Sequence, residues 1–177
     1  MKYPAINRLF TFTCFAIPPI LGSVVTFVWH GGALWCILEI ARGRRRFSAD
    51  RSMWLLAGLL YLYVLASALS FLLNGPSWEG AKDLLPFATL LLFPFSYSLW
   101  SISDKAAIAR AAAYGSMVAS YAALLYALPQ HFFFNMRPEG GAGNALVFST
   151  IVVMTSAVSL AGALMLETRW RLAFVGG

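Results

Sequence analysis

The stretch from Met53 to Leu73 contains no charged residue, and at a helix rise of about 1.5 Å per residue it is long enough to cross a hydrocarbon layer of about 30 Å. Within lipid a backbone must satisfy its own N–H and C=O groups, which restricts such a run to a helix. Similar runs recur along the chain. Of its 177 residues, 60% are hydrophobic and 11% charged, against the roughly 25% charged share of ordinary soluble domains. The expected fold class is all-α: a polytopic transmembrane bundle, residues 1–177 forming one domain, with about six spans and a seventh beginning at the C-terminus.

The span boundaries follow from charges and helix breakers. MKYPAINR is a short basic start that has the look of a secretory signal, but no convincing cleavage site follows it. The apolar zone from Leu9 to Ala41 is too long for one crossing and is expected to break at Pro18-Pro19 and Gly22-Ser23, giving spans over 9–21 and 23–41. The run Arg42, Arg44, Arg45, Arg46, with Arg51 beyond it, assigns the next loop to the cytoplasm. Further spans are expected over 53–73, 84–100, 106–128 and 146–166. Segment 74–83 and the stretch from Pro129 to Asn144 then lie outside. Ser101 to Lys105 is expected to be a tight cytoplasmic turn, and Arg169 to Arg171 a basic end to the sixth span. Under this scheme eleven of the thirteen Lys and Arg residues are inside, and only Lys82 and Arg137 are outside. The expected orientation is that of a multi-pass membrane protein with its basic loops in the cytoplasm.

Several function classes are excluded or demoted. The net charge of +6 comes from short clusters between apolar runs, where basic residues set orientation, so nucleic acid is not an expected partner. Cys14 and Cys36 lie inside apolar segments and read as small buried hydrophobes, and no metal or cofactor is expected. No span carries an acid or base at mid-depth, where ion-coupled carriers usually keep one at a cost of about 3 kcal/mol. Glu39, one turn from Arg42, and Arg110 are expected to reach the cytoplasmic interface by extending along their helices. Ala111, Gly115, Ala119 and Ala123 recur every four residues, a small-residue stripe that marks 106–128 as a central helix. Thr150, Thr155, Ser156 and Ser159 are expected to bond to their own helix or to a neighbour.

One segment combines chemistry with position: Gln130 to Phe148, QHFFFNMRPEGGAGNALVF. Arg137 precedes Pro138, which biases it to extended backbone. Gly140, Gly141 and Gly143 keep the chain irregular until Asn144, a good N-cap, after which an apolar helix begins at Ala145. A guanidinium and a helix N-terminus thus serve one small volume, the outline of an anion site. Glu79, Lys82, Asp83, His131 and Glu139 add polar groups on the same side of the membrane. His131, beside Phe132-Phe133-Phe134, reads as an interfacial side chain.

Arg137, Gly140 and Gly143-Asn144 leading into a membrane helix resemble the R-x-x-G…N-P motif of the O-antigen ligase and polysaccharide polymerase family of integral membrane glycosyltransferases. Where the family has proline after the asparagine, this chain has Ala145. The resemblance implies transfer of a glycan from a polyprenyl-diphosphate carrier to a glycan or lipid acceptor at the periplasmic face, in lipopolysaccharide or exopolysaccharide assembly. Arg137, Gly140, Gly143 and Asn144 would then bind the diphosphate. No catalytic residue is assigned, because the family's base is a histidine on a large loop in the C-terminal half, a position His131 does not occupy. Family members have about twice as many spans, so the chain reads as an N-terminal half that lacks the base. Two other classes stay open: a small transporter or flippase-like protein, which ought to show internal repeats, and a non-catalytic membrane subunit.

Overall fold

In the computed structural model of the protein, residues 3–22, 24–47, 50–101, 104–166 and 171–176 are described, and every regular element among them is helical. The chain divides into two compact units, Met1–Trp29 with Ser103–Gly177, and His30–Ile102.

The first unit is built around the small-residue helix. Helix α1 (Tyr3–Ala16) is followed after a bend at Ile17 by the short helix α2 (Pro18–Leu21), then by Gly22 in a positive-φ conformation and by α3 (Val24–Ala41), inside which the unit boundary falls. Pro18 and Pro19 lack the N–H groups that would continue the α1 ladder, so the chain bends there, as the dipeptide leads one to expect. α1 starts at Tyr3, well before the expected Leu9. Its early turns are held inside the unit, where Asn7 is buried and the Thr11 hydroxyl donates to the Asn7 carbonyl at 2.8 Å.

Counting on through the chain, α7 (Lys105–Phe132) and α8 (Ala145–Met165) complete the main packing of this unit. Gly115, Ala119 and Ala123 of α7 are buried, and a Cβ on Gly115 would stand 2.6 Å from the Phe12 carbonyl oxygen of α1. The register of that contact, together with a cavity where Arg8 meets Ala107, Arg110 and Tyr114, makes α1 and α7 parallel. α8 runs antiparallel to α7, since Ser120 pairs with Ser156 at 3.3 Å while Ala113 meets Gly162. Hydroxyls along this seam have local partners: Thr150 donates to Leu146 O, Thr155 to Ile151 O, and Ser159 to Phe174 O at 2.8 Å.

The last helix, α9 (Arg171–Gly176), turns back beside α8. Arg171 Nε donates to Leu166 O, Phe174 is buried against Ala113 and Ala163, and Tyr121 donates to Ala173 O at 2.9 Å. The apolar segment that the sequence marks as a further beginning thus ascends antiparallel to α8. Residues 167–170, which include most of the expected basic end, lie outside the described residues, as do Lys2, Ser23 and residues 102–103 of the expected turn.

The second unit holds α4 (Arg51–Leu73), capped by Asp50, whose carboxylate accepts from Met53 N at 2.6 Å and from the Tyr97 hydroxyl at 2.8 Å. α4 shows most of its leucines outward, Leu55, Leu59, Leu62 and Leu65 among them, which suits lipid contact. The region expected to be one helix over 84–100 is instead α5 (Trp78–Ala88), a 3₁₀ turn (Thr89–Leu92) and α6 (Phe93–Ser101). Pro94 has no N–H for the carbonyl four residues back, so the preceding turn tightens and a new helix starts around it. Segment 74–83 is accordingly more helical than a loop, because α5 already begins at Trp78.

Among the described residues, three helices are long and apolar enough to cross a membrane: α4, α7 and α8. They make this a membrane protein. α3 is apolar over Thr26–Ala41 but shorter. Glu39, in the last turn of α3, is itself fully buried, and two exposed arginines come to it, Arg42 at 3.6 Å and Arg44 at 3.9 Å. The Arg44 and Arg45 amides also donate to the Glu39 carbonyl and wrap the arginine run around the end of α3.

Candidate functional site

The segment around Arg137 is shaped by the end of α7 and the start of α8. α7 continues past Pro129, and the amides of Phe133 and Phe134 both donate to the Pro129 carbonyl, at 2.9 and 3.2 Å. Asn135 then takes a positive φ of 49°, which lets the chain reverse, and Met136 N donates to Gln130 O at 2.9 Å. The returning strand of the loop is tied by one side chain. Gln130 Oε1 accepts from the amides of Glu139 and Gly140, at 2.9 and 3.0 Å.

The glycines have separate reasons. A Cβ on Gly140 would overlap the Phe148 ring, and one on Gly141 would overlap the Ile20 carbonyl of α2. These two residues, in a 3₁₀ turn spanning Gly140–Ala142, therefore let the loop lie directly on α2 and on the first turn of α8. Gly143 has open space around it and is needed for its left-handed backbone, φ 64°. Asn144 follows as the N-cap of α8, with Oδ1 accepting from Leu146 N at 2.9 Å and Val147 N at 3.3 Å. Two of the amides that open α8 thus have an internal acceptor.

Arg137 stands at the exposed part of this fixed loop, and among the described residues no ion pair reaches it. Beside it, Phe132, Phe133, Phe134 and Met136 are all more than half exposed, and the His131 ring meets Phe132 edge-on at 5.0 Å. Of the four residues expected to bind diphosphate, Arg137, Gly143 and Asn144 are at the surface, whereas Gly140 faces the Phe148 ring. Sequence reasoning missed Gln130. A glutamine in the last turn of a helix that ends in a glycine-bearing loop is a candidate to reach the loop's amides, and that signal was present. In the other unit, Lys82 Nζ lies 5.5 Å over the Trp78 ring, and an open groove of about 490 Å³ beside α4 and α5 is lined in part by Tyr63, Ser67, Ser70, Asn74 and Phe87. The side chain of Asp83 lies outside the described residues. Among the described residues, no group of three or more His, Cys, Asp or Glu is placed to hold a metal ion.

Compared with protein-family models, curated proteins and solved structures, the chain matches none.

Proposed function

We propose that the chain is a multi-pass protein of the bacterial inner membrane that acts as an O-antigen-ligase-like glycosyltransferase, with Arg137 holding the diphosphate of a polyprenyl-linked glycan donor on the periplasmic side. The observation that carries this reading is the presentation of Arg137. It is an exposed guanidinium on a loop pinned by Gln130 and by the cap of α8, next to a shelf of exposed phenylalanines, at the end of two span-length apolar helices. A planar fork of this kind binds two phosphate oxygens, and the phenylalanines suit the isoprenoid chain below them.

In the transfer, the bond between the sugar's anomeric carbon and the diphosphate oxygen breaks, and the electron pair leaves on polyprenyl diphosphate. The acceptor hydroxyl oxygen bonds to that carbon, and its proton passes to a base that no residue of this chain is assigned to supply. Arg137 acts on the leaving diphosphate, where negative charge grows. One charge-assisted bond of this type is worth about 1.5–3 kcal/mol, or roughly ten- to a hundredfold in rate. In a longer form of the protein that supplies the base, Arg137→Ala is therefore expected to lower transfer from a polyprenyl-diphosphate donor by at least that factor, and Arg137→Lys to restore part of it. Undiminished transfer by a normally expressed Arg137→Ala protein would reduce the residue to an interfacial anchor.

The six-crossing arrangement belongs to the same proposal. Parallel α1 and α7 support it, because their shared direction calls for an odd number of crossings in the segment between them, and α3, α4 and the broken α5–α6 segment supply three. A reporter fused after Arg46 is expected in the cytoplasm and one fused within 140–143 in the periplasm. If both report from one side, the broken segment does not cross and Arg137 faces the wrong compartment for this donor.

A further inference from the structure

We infer that Arg42 and Arg44, held in place by the buried Glu39, form a headgroup site for an anionic phospholipid at the end of α3. Gly43, in the left-handed region at φ 66°, turns the chain out of the helix, and the amides of Arg44 and Arg45 return to the Glu39 carbonyl at 3.0 and 3.2 Å. Both guanidiniums thereby reach the same carboxylate oxygen, Arg42 at 3.6 Å and Arg44 at 3.9 Å, close enough together for one phosphate group to bridge them from outside. Two guanidiniums against one carboxylate leave a surplus positive charge. Glu39 fixes its partners without using up their donors. Its side chain is fully buried and neither carboxylate oxygen has a hydrogen-bond partner among the described residues, a state that is tolerable only with cations beside it. The two ion pairs are longer than hydrogen bonds, and the arginine side chains stay 53% and 60% exposed, so their N–H groups remain open to a second anion.

The surroundings select a lipid over a free phosphate. Leu34 and Leu38 precede Arg42 by eight and four residues on one face of α3, and both are exposed, so an acyl chain has an apolar track that ends at a guanidinium. Phe47, which follows Arg46 directly, meets the exposed Trp54 edge-on at 6.5 Å. Aromatic rings of this kind collect at the level of the headgroups. Arginine runs immediately beyond a membrane helix attract anionic lipids for the same electrostatic reason. The inference rests on the second unit alone and is independent of the glycosyltransferase reading.

The test uses the whole protein, delipidated in detergent, with phosphatidylglycerol, phosphatidylcholine or inorganic phosphate added, lipid retention being read by native mass spectrometry and stability by thermal melting. Phosphatidylglycerol is expected to be retained about tenfold better than phosphatidylcholine, the factor that one charge-assisted bond supplies. Arg42→Gln and Arg44→Gln together should remove that preference, while Arg46→Gln and Arg51→Gln together, an equal loss of charge from the same run, should leave most of it. Arg42→Lys with Arg44→Lys keeps both charges but loses both planar forks, and should weaken it. Glu39→Gln should weaken it too, although it adds net positive charge, because the arginines lose the acid that places them. The inference is overturned if the first pair keeps the preference, if the second pair loses as much, or if Glu39→Gln raises it, since retention would then follow total charge and not placement. Should the first pair fail to fold, an undiminished preference in the Lys pair overturns it. Stabilisation by inorganic phosphate equal to that by phosphatidylglycerol, with no lipid preference, would assign the site to a free anion and also overturn it.

Discussion

Gly115→Leu is expected to push α1 away from α7 and to lower the melting temperature in detergent far more than any other change to the small-residue stripe. Even the first added carbon has no room: it would stand 2.6 Å from the Phe12 carbonyl oxygen and 3.0 Å from the Phe15 Cβ. The carbonyl is part of the α1 ladder and cannot turn aside without breaking it. Overpacking of this kind costs about 1–3 kcal/mol and occasionally more, and Leu adds three further carbons. The rise in hydrophobicity brings no compensation, since lipid is as apolar as the helix surface it would replace. Ala119→Leu, at a fully buried position, should follow Gly115→Leu in direction. Ala111→Leu should cost much less, because Ala111 lines a cavity. Equal melting of Gly115→Leu and wild type would mean that α1 and α7 do not pack through this residue.

That contrast shows how far the sequence carries. Four-residue spacing identifies the face of α7 that lets a neighbour approach, and the structure buries Gly115, Ala119 and Ala123 on it. Spacing does not say which member meets a backbone and which a void, because that depends on the register of α1, set by contacts far apart in sequence. The long helices were legible for a similar reason: charge-free runs such as Met53 to Leu73 have no alternative in lipid. The 84–100 region was not, since a mean apolar character hides the local effect of Pro94 on the turn before it. That the Glu39 side chain is buried was not legible, because its distance along the chain from Arg42 does not say how the arginines after it fold. The arginine run curls back over the end of α3, and that closes around the carboxylate.

The loop bearing Arg137 offers the second large effect, and it separates two meanings of the same residue type. Gly140, Gly141 and Gly143 look alike in sequence, as a flexible cluster before a helix. Gly141→Ala is expected to detach the loop from α2, because its Cβ would overlap the Ile20 carbonyl and come within 2.8 Å of Leu21 N, all backbone atoms that cannot give way. Gly143→Ala meets nothing and costs only the left-handed strain of a φ of 64°, about 1–2 kcal/mol. The sensitive readout is hydrogen exchange at Glu139 and Gly140, whose amides donate to Gln130. Gly141→Ala should speed exchange at both by at least tenfold, while Gly143→Ala should change them far less; equal protection in the two variants would show that the loop is not seated on α2. The same pair bears on the proposed role of Arg137. If the guanidinium works from a fixed position, Gly141→Ala lowers transfer although Arg137 is intact, and Gly143→Ala largely spares it. A loss of protection in Gly141→Ala with transfer unchanged would mean that Arg137 does its work, if any, from a mobile loop.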